Sequence, residues 1–241
     1  MNKIKNILLI FVMIFLLSGC NKNTVEEKKE IVTDEAVINK LRNQIISLET
    51  LDKTIELYTK GSGISTDYTN EDMLRYGLNV RMSSATIPAL TQAEIQLLAS
   101  KNILNVSGAI EASYVGEEIS KNFSMSSVKY TSLTGCPSFY YDEDNSRFYI
   151  QSKCVSQNKN KIYSYVDKVE KKDNIYYVTI YAGLSDGSAV YNDFKKSKVV
   201  VDLLSKSSYS ITDNDKKDYT LYTYEFEKNS NDNYIFKSFK K

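Results

Sequence analysis

The chain has no histidine, no tryptophan, three cysteines in 241 residues and almost no net charge. Without histidine there is no Ser-His-Asp or Cys-His nucleophile system, no histidine-ligated zinc and no imidazole proton shuttle, which removes much of hydrolase chemistry. The 31 Lys and Arg against 30 Asp and Glu leave a formal charge of +1. Binding to nucleic acid needs a basic footprint, so this balance argues against a nucleic-acid partner. Lys237, Lys240 and Lys241 form only a small basic end. With tryptophan missing, the aromatic content rests on 19 tyrosines and 9 phenylalanines, residues suited to half-buried sheet surfaces.

Other chemistry is thinly represented. Ser126-Ser127-Val128-Lys129 and Ser156-Gln157-Asn158-Lys159 match Ser-x-x-Lys, a pattern frequent by chance. Neither the Ser-Asp-Asn nor the Lys-Thr-Gly companion of penicillin-recognising enzymes accompanies them. Asp142, Asp144 and Ser146 offer oxygens at alternate positions, as a calcium loop begins. Arg147 stands where that loop needs glycine and Lys153 where it needs glutamate, so the segment reads as a hairpin turn. Asp213-Asn214-Asp215 has the same look of a turn. No cofactor or metal is expected, and no catalytic constellation stands out. A carboxylate pair for glycoside cleavage depends on which acids converge, and sequence does not show that.

The N-terminus is more specific. Lys3 and Lys5 precede an apolar run of eleven residues, Ile7 to Leu17. That length suits a secretory signal and is too short to span a bilayer. Leu17-Ser18-Gly19-Cys20 follows at once and resembles the lipobox of bacterial membrane lipoproteins. The resemblance covers these twenty residues. It implies cleavage before Cys20, diacylglycerylation of its sulfur and a place on the extracytoplasmic face of the cell membrane. Two acyl chains give stable attachment where one holds only marginally. Loss of Met1 to Gly19 removes Lys3 and Lys5 and shifts the formal charge from +1 to −1.

Residues 20–33 then read as a lipidated cysteine and a disordered spacer, since Asn21 to Thr33 is polar and charged with few apolar groups to bury. Those thirteen residues reach roughly 20 Å as a coil and about 45 Å fully extended.

From Asp34 the period becomes helical: Ile38, Leu41, Ile45 and Leu48, then Ile55 and Tyr58, recur at threes and fours until Gly61 offers a stop. The spacing predicts one helix over 35–60. Thr69 with Asp72 predicts a short capped helix, and Thr91 with Glu94 forms a capping box before Ile95, with Leu90 and Ile95 at the staple positions. A helix over 92–101 is expected there, and another over 114–122 from Val115, Ile119 and Phe123. Residues 34–126 are thus expected to be mainly helical.

Beyond Ser127 the period changes to two. Strands are expected at 129–134, 138–141, 148–152, 161–170, 175–182, 198–204, 219–227 and 234–239. Short polar connectors do not make parallel crossovers, so 127–241 should be an antiparallel meander. Tyr222, Tyr224 and Phe226 alternate onto one face, which should meet the helices.

Cys136 and Cys154 lie symmetrically about Asn145. A hairpin turning there would face Tyr141 with Tyr149 and bring the two sulfurs together. Outside the cytosol a disulfide is permitted, and closing this nineteen-residue loop would contribute about 3 kcal/mol on the chain-entropy model.

The expected fold class is α+β, N-terminal helices packed on a C-terminal antiparallel sheet. That order loosely resembles cystatin-like and nuclear-transport-factor-like folds, which do not fix function. The functional expectation is a non-enzymatic, lipid-anchored cell-envelope protein binding a protein, peptide or wall component near the membrane. The alternative is an envelope hydrolase acting on wall polymer through a carboxylate pair. Two inward carboxylates in a cleft would favour the second.

Overall fold

The computed structural model describes residues 29–125, 127–151, 160–206 and 208–241. Cys20, the leader and Cys154 lie outside them. Among the described residues, five helices and eleven strands give an α+β fold, with helices in the N-terminal half and an antiparallel sheet in the C-terminal half. None of these helices is long and apolar enough to cross a membrane.

Asp34 opens α1 (Glu35–Glu49) by accepting from the amides of Ala36 at 2.9 Å and Val37 at 3.4 Å, which satisfies otherwise orphaned donors. The single helix expected over 35–60 is two. Leu51 is extended, with φ −91° and ψ 133°, and α2 (Asp52–Lys60) starts afresh after it. Leu51 is almost wholly buried, and Thr54 Oγ1 donates to the Leu48 carbonyl at 2.5 Å. Burial of Leu51 and this replacement bond offset the helical bonds lost at the joint. Gly61 ends α2 in the left-handed conformation, φ 89°, as its position suggested. Strand β2 (Ser62–Ile64) follows. A Cβ on Gly63 would lie 2.8 Å from both Leu57 and Phe239, so only glycine lets that strand sit so close.

Both capping boxes form. Thr69 and Asp72 cap α3 (Asn70–Ser84), longer than expected, and Thr91 and Glu94 cap α4 (Gln92–Ser100). Ile95 is largely exposed. Helix α5 runs Ala112–Asn122.

The C-terminal strands are β4 (Ser138–Asp142), β5 (Arg147–Gln151), β6 (Lys161–Lys172), β7 (Ile175–Ser185), β8 (Ala189–Tyr191), β9 (Val199–Asp202), β10 (Thr220–Lys228) and β11 (Tyr234–Lys240). They do not make one simple meander. The main sheet runs β1-β6-β7-β10-β11-β2, where β1 (Glu30–Ile31) and β2 come from the N-terminal half, while the β8–β9 hairpin continues from the end of β7. β1 corrects the expectation of a disordered spacer up to residue 33: Glu30 and Ile31 pair with β6, and the Val32 amide donates to the Val169 carbonyl at 2.9 Å, so the backbone there is held by the sheet edge whatever its side chains. A second sheet, β3-β5-β4, includes β3 (Val106–Glu111) from the nominally helical half. The strand expected at 129–134 is absent apart from a bridge between Leu133 and Phe139.

The β4–β5 register also differs by one residue. Tyr140 faces Tyr149 and Tyr141 faces Phe148, because the turn holds four residues, 143–146, with Ser146 at φ 51°.

Tyr222, Tyr224 and Phe226 do share a buried face and do meet the helices. The ring of Tyr58 in α2 lies tilted against Tyr222 and Phe239, centroids 4.5 and 4.8 Å away, and each such aromatic pair adds about 0.5–1.5 kcal/mol beyond its buried area. One core joins Leu41, Leu74 and Ile119 of the helices to Val178, Tyr224 and Phe236 of the main sheet and Phe148 of the small one.

Candidate functional site

The break at Leu51 creates the site. On one continuous helix Glu49 and Tyr58, nine residues apart, would stand about two and a half turns from each other and so on opposite faces. The turn at Thr50 and Leu51 brings them together instead. The Tyr58 hydroxyl donates to Glu49 Oε1 at 2.8 Å and Ser164 Oγ of β6 to Oε2 at 2.6 Å. Behind Tyr58, the Tyr224 hydroxyl of β10 lies 2.7 Å away. With the Tyr58 proton on Glu49, Tyr224 donates to Tyr58.

Burial pushes the Glu49 carboxyl up to about 7, against the opposing pull of the hydrogen bonds from Ser164 and Tyr58. Burial, with the negative charge of Glu49 next, also pushes the Tyr58 hydroxyl well above the usual phenol range. Near neutrality this chain of hydroxyls therefore ends on a carboxyl that exchanges its proton while the phenols keep theirs.

Glu49 lies on the wall of a cleft of about 820 Å³ between α1, α2, α3, β6 and the segment around Tyr209. Arg75, Lys161, Asp52, Glu71 and Asp72 share the wall. Glu71 and Asp72 serve the fold. Glu71 pairs with Arg75 at 3.1 Å, and Asp72 serves the α3 cap, accepting from the Thr69 amide at 2.9 Å. Lys161 sits 4.8 Å over the ring of Tyr163.

No protein-family model matches the chain, and no characterised sequence or solved structure with which it was compared matches it either. The cleft must be judged on its own chemistry.

Of the residues the sequence singled out, Cys136 lines the cleft rim, while Cys20 and Cys154 fall outside the described residues. So do Ser126, Ser156 and Lys159 of the Ser-x-x-Lys patterns. Asp142 is buried and used structurally: Lys101 lies 3.3 Å from its Oδ1, and Asn145 donates to its Oδ2 at 2.7 Å. Asp213 pairs with Lys216 at 2.8 Å, and Asp215 accepts from the Thr212 amide at 2.6 Å. Among the described residues no group of three or more Cys, Asp or Glu side chains is arranged to hold a metal ion. The run Phe139-Tyr140-Tyr141 packs internally: Phe139 is in the core, Tyr140 stacks on Tyr149, and Tyr141 lies 4.9 Å from Phe148.

Glu49 and Ser164 were not singled out by sequence, and Tyr58 figured only as a helical apolar position. Glu49 follows Ile45 by one turn at the end of α1, where a solvated acid is ordinary, and only the helix break brings Tyr58 to it.

Proposed function

We propose that the chain is an exported, lipid-anchored cell-envelope protein, and that its cleft binds a polar group of a peptide or wall component near the membrane without turning it over. The observation that supports binding is the make-up of the wall. It offers neutral and charged hydrogen-bonding groups in one concavity, and the carboxylates of Glu71 and Asp72 beside Glu49 are tied to Arg75 and to a helix cap. A neutral Glu49 both donates and accepts, which suits amides and sugar hydroxyls.

The address rests on the leader, Leu17-Ser18-Gly19-Cys20 and the polar spacer. Cys20→Ala should release the protein from the membrane fraction on fractionation; equal retention would end that part of the proposal. The Cys136–Cys154 disulfide belongs to the same reading. The described β4–β5 pairing ends at Ser138 and Gln151, and Pro137, which has no N–H to give a ladder, stands just beyond it. Thiol counting on unreduced exported protein should find neither cysteine free.

One observation favours the hydrolase alternative. A carboxyl poised near 7 is in the state of a general acid, and further carboxylates share its wall. Sedimentation with purified wall polymer separates the readings. Binding predicts co-sedimentation with no soluble fragments released. The enzyme reading predicts fragments that disappear in Glu49→Gln, and failure to co-sediment would remove the wall polymer as ligand.

A further inference from the structure

We propose a second binding site, distinct from the Glu49 cleft: the pocket between the α3–α4 connection, β3 and α5 takes a small monocarboxylate with a compact apolar body, held by the Arg81 guanidinium. The pocket has a volume of about 220 Å³, about seven waters' worth at ~30 Å³ each. Ile87, Pro88 and Ala89 of the connection and Ala109 and Ile110 of β3 give it apolar walls, which reward an apolar ligand body.

Arg81 is the anomaly. The chain has four arginines. Arg42 bonds to Asn39, Arg75 pairs with Glu71, and Arg147 pairs with both Glu94 and Glu111. Of these four, Arg81 alone makes no side-chain hydrogen bond or ion pair with a described residue. Its guanidinium stacks 4.7 Å over the Tyr114 ring, and its Nε is buried with no partner. A buried donor left unmade is costly, and a planar guanidinium is the shape that a carboxylate meets with two parallel hydrogen bonds.

The other charges on the wall are already engaged. Arg147 Nη1 donates to Glu94 at 2.6 Å and its Nε to Glu111 at 2.7 Å. With Arg81 and Arg147 against Glu94 and Glu111 the wall is formally neutral. It accommodates one negative charge at the Arg81 end and disfavours a dianion.

The test is an amide-NMR titration of the full extracytoplasmic chain with benzoate, with benzamide and inorganic phosphate alongside. Benzoate should give saturable shifts confined to residues 81–94 and 106–114, with benzamide and phosphate at least about tenfold weaker. Arg81→Met should lose at least about tenfold in benzoate affinity. Ala89→Phe, which fills the pocket from its loop and keeps Arg81, should lose it as well, and decides the matter if Arg81→Met does not fold. Glu49→Gln should bind benzoate like the wild type. No saturable shift with millimolar benzoate, equal affinity for benzamide, or undiminished binding when Arg81→Met or Ala89→Phe is folded would each overturn the proposal.

Discussion

At the scale of single residues, Glu49 carries the most consequential chemistry. An acid raised from 4.5 to about 7 in the native state holds a proton that the unfolded chain has already released between those values. The native state then binds more protons, so stability falls as pH rises through this window and levels off above it. The shift corresponds to about 3 kcal/mol at most. Gln resembles the protonated acid and does not titrate. Glu49→Gln should therefore gain on the wild type with rising pH, being about 2–3 kcal/mol better placed, relative to wild type, at pH 8 than at pH 4.5. Urea unfolding of both proteins at those two pH values checks it. A mutant-to-wild-type difference independent of pH would show that the Glu49 carboxyl titrates in the native state as it does in the unfolded chain.

At the scale of elements, the joint between α1 and α2 decides the site, and Thr54 secures it. Thr54 is wholly buried, donates to the Leu48 carbonyl at 2.5 Å and lies 2.9 Å from the Tyr68 hydroxyl. Thr54→Val keeps the shape but deprives the buried Tyr68 hydroxyl of its Thr54 partner and leaves the Leu48 carbonyl to the Leu51 amide at 3.1 Å, which should cost about 1–3 kcal/mol. Urea unfolding measures the loss, and hydrogen exchange should quicken at residues 48–54. An unchanged midpoint would mean that the joint is held by Leu51 burial alone.

The same joint shows what sequence could and could not reveal. The caps at Thr69 and Thr91 were legible because a capping box is contained in four residues. So were Gly61, the long β6, β7, β10 and β11, and the inward face of Tyr222, Tyr224 and Phe226, all local patterns. The break was not: Leu48 and Leu51 keep a helical spacing, and burial of an extended Leu51 in a tertiary core overrode it. β3, containing Ser107 and Gly108, has weak strand character and exists because β5 pairs with it. Residues 129–134 have strand composition and, among the described residues, no strand partner beyond the Leu133 bridge, the Lys129 backbone bonding the Asn70 side chain instead. The hairpin slipped by one residue because its turn took four positions, and in a ladder of period two such a slip re-pairs every residue. The candidate site was hidden for the same reason as the break, since Glu49 and Tyr58 meet only across it.

At the scale of the whole molecule, the division at 126/127 marks a change of sequence pattern, and the two sides complete each other's sheets. Glu30 and Ile31 pair with Glu170 and Lys171 along the outer edge of β6, residues 62–64 pair with 238–240 along β11, and β3 borders β5. The aromatic face of β10 is closed by Tyr58 and Tyr68 from the N-terminal side. A fragment 127–241 would keep its hairpins but expose both long edges of the main sheet and a row of core aromatics, the condition that leads strands to pair with other chains. Expressed alone, it should aggregate or form a loosely packed state with a collapsed amide spectrum and weak near-ultraviolet tyrosine dichroism, whereas the chain from residue 29 onward gives a dispersed spectrum. Adding 29–126 in trans should restore dispersion if the halves recognise each other through these edges. A well-dispersed spectrum from 127–241 by itself would show instead that the sheet half is a domain in its own right and that β1, β2 and β3 are additions to an already sufficient core.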